Sequence, residues 1–243
     1  MRMPMLFRKA RSRRGPAIPP DIDAEARGVI EAVAPFTMTS PERILALREA
    51  VQHVCRHNIE GDIVECGVWR GGSMMAVALT LADLGERRRL HLFDTFEGMP
   101  PPGEEDRDIG GTAAEDLLAV EDRETGSTWA FGPLEDVRRN LLSTGYPRDL
   151  VRFVQGRVEQ TIPAHAPERI AVLRLDTDWY ESTRHELVHL FPRLAVGGVL
   201  IIDDYGHWKG ARKAVDEYIA ATGVRLLLSR IDYTGRMAVK IDP

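Results

Sequence analysis

The 243-residue chain has only two cysteines, Cys55 and Cys66, and both stand in apolar surroundings. A disulfide framework is therefore not expected. Reduced core thiols fit better, and with them a cytoplasmic setting. The sequence lacks the Cys and His spacings that hold zinc. It has no apolar run near the ~20 residues that cross a bilayer, and its charged N-terminus lacks the apolar centre of a signal peptide. Charge of one sign is not in strong excess: 32 Lys and Arg stand against 37 Asp and Glu, a net charge of −5. That gives no general reason to expect nucleic acid or an anionic membrane as a partner. The hydrophobic share of 44% is enough for the full core of one domain, with residues 1–20 as an appendage. These twenty residues carry Arg2, Arg8, Lys9, Arg11, Arg13 and Arg14 and then three prolines. They read as a disordered, solvated basic tail.

The chain is organised around Gly61-Asp-Ile-Val-Glu-Cys-Gly-Val-Trp-Arg-Gly-Gly-Ser73. A short β-rich run ends on Glu65, a glycine-rich turn follows, and an apolar helical pattern starts at Met74. In an open α/β sheet this is a place where small ligands bind. N-terminal helices are expected over 21–60, the first stopped by Pro35. The second is opened by either Thr39 with Glu42 or Ser40 with Pro41. Leu90–Asp94 reads as a second strand, which makes a βαβ unit and a parallel sheet. Further strands are expected at Val151–Val154, Ile170–Leu175 and Val199–Ile202. A helix over about 182–194 should be capped by Gly197-Gly198. The last two strands, Val224–Leu228 and Met237–Ile241, should form an antiparallel hairpin. Residues 97–130 are rich in proline, glycine and acids. So long an insertion is either an active-site lid or a plain surface loop.

Glu65, Asp94, Asp176 and the pair Asp203-Asp204 stand at or just past the ends of successive strands. Parallel strands share one carboxyl edge, so these acids should meet on one rim. A dinucleotide turn needs glycine where Trp69 stands, and a Walker loop needs a lysine this turn lacks. An acid at Glu65 suits a ligand amine, and one at Asp94 suits ribose hydroxyls. Together they describe S-adenosylmethionine better than NAD. Asp176, Asp203 and Asp204 suit Mg²⁺, a hard cation with oxygen ligands, although a single Asp could as well cap a helix. A bound metal would lower the pKa of a hydroxyl and orient it. Asp176 is the first candidate for general base, with Asp178 and His207 as alternatives.

The runs Thr37-Met38, Val64 to Gly72, Phe93 to Pro100, Arg174 to Thr183 and Ile202 to Gly206 resemble the macrocin O-methyltransferase (TylF/MycF) family over residues 35–242. The resemblance implies a Rossmann-like class I methyltransferase fold. That is an α/β architecture with a mostly parallel seven-stranded sheet, an antiparallel last strand and helices on both faces. It implies an S-adenosylmethionine- and Mg²⁺-dependent O-methyltransferase, with a small-molecule acceptor such as a glycosylated natural product, in a homo-oligomer. By motif position the cofactor is lined by Thr37, Met38, Glu65, Cys66, Gly67, Val68, Trp69, Arg70, Gly71, Ser73, Asp94, Thr95, Phe96, Gly156 and Arg157. After Gly156 the chain reads Arg-Val-Glu-Gln-Thr-Ile-Pro, which departs from the family's more usual aromatic and Asp-Thr-Leu-Pro. A catechol-type methyltransferase shares the Mg²⁺ logic. A non-catalytic cofactor-binding protein would not need the rim acids.

Overall fold

The computed structural model describes residues 18–242. The expected basic tail falls outside them as far as residue 17.

Among the described residues, two α-helices precede the sheet. In α1 (Ala24–Val33), Asp23 caps the N-terminus by accepting from the Ala26 N–H at 2.7 Å, and Ala26, Val29, Ile30 and Val33 form the buried stripe. A 3₁₀ turn containing Pro35 ends it. Of the two possible caps for α2 (Pro41–Arg56), Ser40 is the one used. Its Oγ accepts from the Arg43 N–H at 3.2 Å and Pro41 opens the first turn. Thr39 instead bonds Thr37.

The described residues form seven strands, β1 (Asp62–Cys66), β2 (Leu90–Asp94), β3 (Val151–Gln155), β4 (Ile170–Leu175), β5 (Leu194–Ile202), β6 (Ser229–Arg230) and β7 (Arg236–Val239). Their order in the sheet is β3-β2-β1-β4-β5-β7-β6. β1 pairs in parallel with both β2 and β4, and only β7 runs against its neighbours. The strand order reverses between β1 and β4, so a crevice opens there at the carboxyl edge. Alternate strand residues feed two cores. Ile63, Leu92 and Val172 pack with α1, α2, α3 (Gly72–Asp83) and α5 (Leu134–Leu142) on one face. Val64, Phe93 and Leu173 pack with α6 (Val158–Thr161), α7 (Tyr180–Leu190) and α8 (Lys209–Thr222) on the other. Among the described residues no helix is long and apolar enough to cross a membrane.

Four expectations need correction. The helix expected to run to Leu194 stops at Leu190, because Pro192 lies in the 3₁₀ turn that follows and cannot continue an α-helix. Leu194 already belongs to β5, and Gly197-Gly198 lie within that strand rather than capping a helix. Gly197 has φ 83°, and a Cβ on Gly198 would sit 2.9 Å from the Ala171 carbonyl oxygen. Glycine is needed here for an irregular strand crossing, where the β4–β5 register shifts. Val224–Leu228 is not a strand. Its alternation is real, since Val224, Leu226 and Leu228 pack on the core, but no strand pairs with it and β6 is only Ser229–Arg230. The expected strand Met237–Ile241 ends at Val239.

The insertion over 97–130 is structured. It holds α4 (Ala114–Val120) and makes single antiparallel bridges from Arg107 to Ala113 and from Asp108 to Trp208. Ala114 and Leu118 share a small core with Trp179, Trp208 and Ala211. The insertion is thus docked where α7 and α8 begin.

Candidate active site

A cavity of about 310 Å³ opens at the carboxyl edge of the sheet, in the size range of small-molecule sites. One wall is the turn after β1. Gly67 has φ 81°, and a Cβ there would lie 1.8 Å from the main-chain oxygen of Asp176. The ends of β1 and β4 are pressed together, and only glycine permits it. Asp176 N–H donates to the Cys66 carbonyl at 2.8 Å, and Gly67 N–H to the Phe93 carbonyl at 2.9 Å. Trp69 adopts φ 47°, and Gly71, at φ 88°, precedes the first residue of α3. The glycine contact makes Gly67→Ala a severe change. Overpacking against backbone, roughly 1–3 kcal/mol, adds to about 1–2 kcal/mol for a left-handed alanine. A thermal unfolding scan should show the drop in stability, and ligand binding should be lost with it.

Asp94 ends β2 and organises this turn. Its Oδ2 accepts from the Val68 N–H at 2.6 Å and the Trp69 N–H at 3.3 Å, and its Oδ1 accepts from the Phe96 N–H at 2.6 Å. Burial pushes its carboxyl pKa up, while those N–H groups hold it down. Thr37 and Met38 reach the cavity because Gly72 lets the Phe36-Thr37 backbone lie against α3; a Cβ on Gly72 would be 2.5 Å from the Phe36 carbonyl oxygen.

The acid wall is organised by an arginine. Arg174 on β4 is fully buried and donates to Glu65 at 2.7 Å, Asp176 at 2.7 Å and Asp203 at 2.6 Å. Asp203 also pairs with Arg43 of α2, which reaches on to Asp232 at 3.0 Å. Asp203 is therefore turned into an ion-pair network. The acids that cluster are Asp176, Asp178 and Asp204, each offering an oxygen within 4.8 Å of the others. Asp178 has φ 62°, and its N–H donates to Asp204 at 3.3 Å. Asp178 and Asp204 have no cationic partner among the described residues. Burial pushes Asp178 to about 7, and burial together with neighbouring acids pushes Asp176 and Asp204 well up. When ionised, the three acids and Asp203 outnumber Arg43 and Arg174, and a divalent cation would offset that excess. The cluster's donors are all hard oxygens, so the residues present fit a divalent cation of the Mg²⁺ type.

The structure brings most of the sequence-predicted residues together. Thr37, Met38, Gly67, Val68, Trp69, Ser73, Asp94, Thr95, Gly156, Arg157, Asp176, Asp203 and Asp204 line the cavity, as do the alternatives Asp178 and His207. Five others do not line it. Glu65 is buried behind the wall with its carboxyl pushed to about 7 by desolvation against the pull of Arg174. Cys66 faces the second core, where burial raises its thiol pKa well above the ordinary value. Arg70 stacks on Phe36 and Trp69 and donates to the Pro35 carbonyl at 3.0 Å. Gly71 shapes the turn, and Phe96 is buried in the first core. Sequence reading gave no role to Arg174, Arg43, Trp208 or the lid residues Met99, Pro100 and Thr128, although Arg43 and the last four line the cavity. Arg174 had a signal of its own, as the one charged residue in the apolar strand Ile-Ala-Val-Leu-Arg-Leu.

The family model described as Macrocin-O-methyltransferase (TylF) matches residues 3–238. A Streptomyces olivaceus protein named 8-demethyl-8-(2,3-dimethoxy-alpha-L-rhamnosyl)-tetracenomycin-C 4'-O-methyltransferase is 38% identical over 221 residues, covering 89% of this chain and 80% of that protein. Mycinamicin III 3''-O-methyltransferase from Micromonospora griseorubida is 34% identical over 200 residues, covering 82% of this chain and 76% of that one. Among solved structures, the O-methyltransferase NovP matches at 35% identity with a TM-score of 0.75, covering 85% of this chain and 83% of that chain.

Proposed function

Because this chain belongs to the macrocin O-methyltransferase (TylF) family, and is thus an O-methyltransferase, we propose that it methylates a hydroxyl on the sugar of a glycosylated natural product, with a divalent cation at the acid cluster. The observation that carries the reading is one cavity shared by the Asp94 turn and the cluster Asp176, Asp178 and Asp204. The relative that acts on a rhamnosyl-tetracenomycin supports the sugar.

S-adenosylmethionine would supply the sulfonium methyl, and Mg²⁺ would supply Lewis acidity toward the acceptor hydroxyl. The chain's own residues bind and orient. Asp94 has spent three acceptor positions on backbone N–H groups. The Thr95 hydroxyl lies 3.4 Å from Oδ1 but donates better to the Gly98 carbonyl at 2.7 Å, so Oδ1 keeps room for one ribose hydroxyl rather than two. Glu65 gives Oε1 to Arg174 and does not line the cavity, so we do not assign it the ligand amine. The methionine end would instead lie among Thr37, Gly67 and Ser73. Asp176, Asp178 and Asp204 would hold the cation, while Asp203 serves as their anchor to Arg174 and Arg43. The hydroxyl proton goes to a rim carboxylate. Asp176 gives an oxygen to Arg174 at 2.7 Å, whereas Asp178 has no cationic partner among the described residues, so we place the proton on Asp178. His207 is the alternative; its Nδ1 is 2.8 Å from the Tyr233 hydroxyl.

The test is transfer from S-adenosylmethionine to a panel of glycosylated aromatic and macrolide acceptors, with catechols alongside. Asp178→Asn should lower kcat by about 100-fold, within the range of general-base catalysis. Turnover of catechols alone would favour the catechol-type reading. An Asp178→Asn variant at full rate would remove Asp178 as base.

A further inference from the structure

We propose that Asp106 is a positioning residue that latches the lid onto the catalytic loops, and so completes the acceptor side of the cavity. The inference rests on the reading of this cavity as the methyl-transfer site. It starts from an oddity of the lid. In a segment dense with exposed acids, Asp106 is only 2% exposed. Its neighbours Glu104 and Glu105 face solvent.

The buried carboxylate has specific partners. Its Oδ1 accepts from the Tyr180 N–H at 2.7 Å, and its Oδ2 from the Gly103 N–H at 2.7 Å. Its main-chain oxygen accepts from the Ala114 N–H at 2.8 Å, where α4 begins. Tyr180 is the first residue of α7, and Trp179 before it offers no side-chain cap. α8 has the same gap: Trp208 offers none, and the Lys209 N–H is taken by the Arg107 carbonyl at 2.8 Å. Two helices of the sheet layer are thus capped from the lid, by consecutive residues. The Asp106 charge sits at the positive end of α7. Gly210 in the first turn of α8 makes room for it, since a Cβ there would stand 2.0 Å from Asp106 Oδ1.

The place of the latch gives it a function. Asp178 stands two residues before Tyr180, and His207 two residues before Lys209. Trp179 donates from Nε1 to the Pro100 carbonyl at 2.9 Å and meets Trp208 edge-on at 4.9 Å. Met99, Pro100 and Thr128 of the lid line the cavity. Docking at Asp106 therefore sets that wall and the backbone just after Asp178 together. The methyl-donor half rests on β1, α3 and Asp94, which do not touch the latch.

The experiment uses the full chain with S-adenosylhomocysteine bound, and compares Asp106→Ala, Asp106→Asn and Gly210→Ala. Amide exchange over residues 99–120 should rise roughly tenfold in Asp106→Ala, the ratio set by losing a helix cap. Gly210→Ala should reproduce it, because the added methyl displaces the untouched carboxylate. Asp106→Asn, which keeps an acceptor for the Tyr180 N–H, should recover most of the protection. Acceptor KM should rise about tenfold in Asp106→Ala and Gly210→Ala with kcat retained, the pattern of lost uniform binding. S-adenosylhomocysteine affinity should stay within about threefold. Unchanged exchange in Asp106→Ala and Gly210→Ala would overturn the latch, as would raised exchange with an unmoved acceptor KM. If the wild-type protein methylates no acceptor, the proposed function fails, and the exchange result still decides the latch.

Discussion

Replacing Arg174 by methionine is expected to destabilise the fold by about 3–5 kcal/mol, the range for breaking a buried ion pair on one side. The side chain is 2% exposed, so solvent does not screen the effect. Three carboxylates, on Glu65, Asp176 and Asp203, lose their shared cation at once. The pH dependence has a definite sign. Burial already raises the folded Glu65 carboxyl from 4.5 to about 7. Between those values the folded protein binds more protons than the unfolded chain, so stability falls as pH rises. Without Arg174 the folded value climbs further. The gap between variant and wild type should therefore widen from about pH 5.5 to pH 8. Urea unfolding at the two pH values reads this directly. A constant gap would mean that Arg174 contributes packing rather than charge. Methyl transfer should fall roughly 10–100-fold, as for partners that hold metal ligands in place.

Asp204→Asn should do the opposite to stability. Asp204 has no cationic partner among the described residues, and its carboxyl pKa is raised by burial and by Asp178 and Asp203. Removing its charge relieves that repulsion, and the fold should gain on the order of 1 kcal/mol. The same change removes a cluster oxygen. Methyl transfer should fall by at least about 100-fold, beyond the outer-shell range, with S-adenosylhomocysteine affinity unchanged by calorimetry. Asp203→Asn, only one residue away, should instead destabilise, because Arg43 and Arg174 lose a shared anion. Thermal unfolding of the two variants without added Mg²⁺ separates the roles. If both move the same way, the division of the acids is wrong.

Much of the sheet was legible because its strands are apolar runs punctuated by acids and glycines. Ile170–Leu175 stands as read, and Leu90–Asp94 likewise. The end of α7 was overshot because Phe191-Pro-Arg-Leu194 continues the apolar spacing, and Gly197-Gly198 imitates a cap. The strand expected at 224–228 has the alternation of a strand and no edge to pair with. The convergence of acids on one rim followed from parallel topology alone. What each acid faces did not follow from it. Asp203 is turned by Arg43, which sits on a helix that enters before the sheet begins, and Asp178 is brought in by a left-handed backbone. Asp106 was hidden for a similar reason. Its segment reads as a solvated acidic loop, and its burial depends on Gly210, far along the chain.

The central claim is methyl transfer to a sugar hydroxyl at an acid cluster that needs a divalent cation. It is tested most directly by incubating the protein with S-adenosylmethionine and glycosylated acceptors, in Mg²⁺ and after chelation. The product is read by mass spectrometry, and its position by NMR. A single new O-methyl group on the sugar is expected, lost on chelation and restored by Mg²⁺. Full transfer in the chelated enzyme, or methylation confined to the aglycone, would contradict the claim.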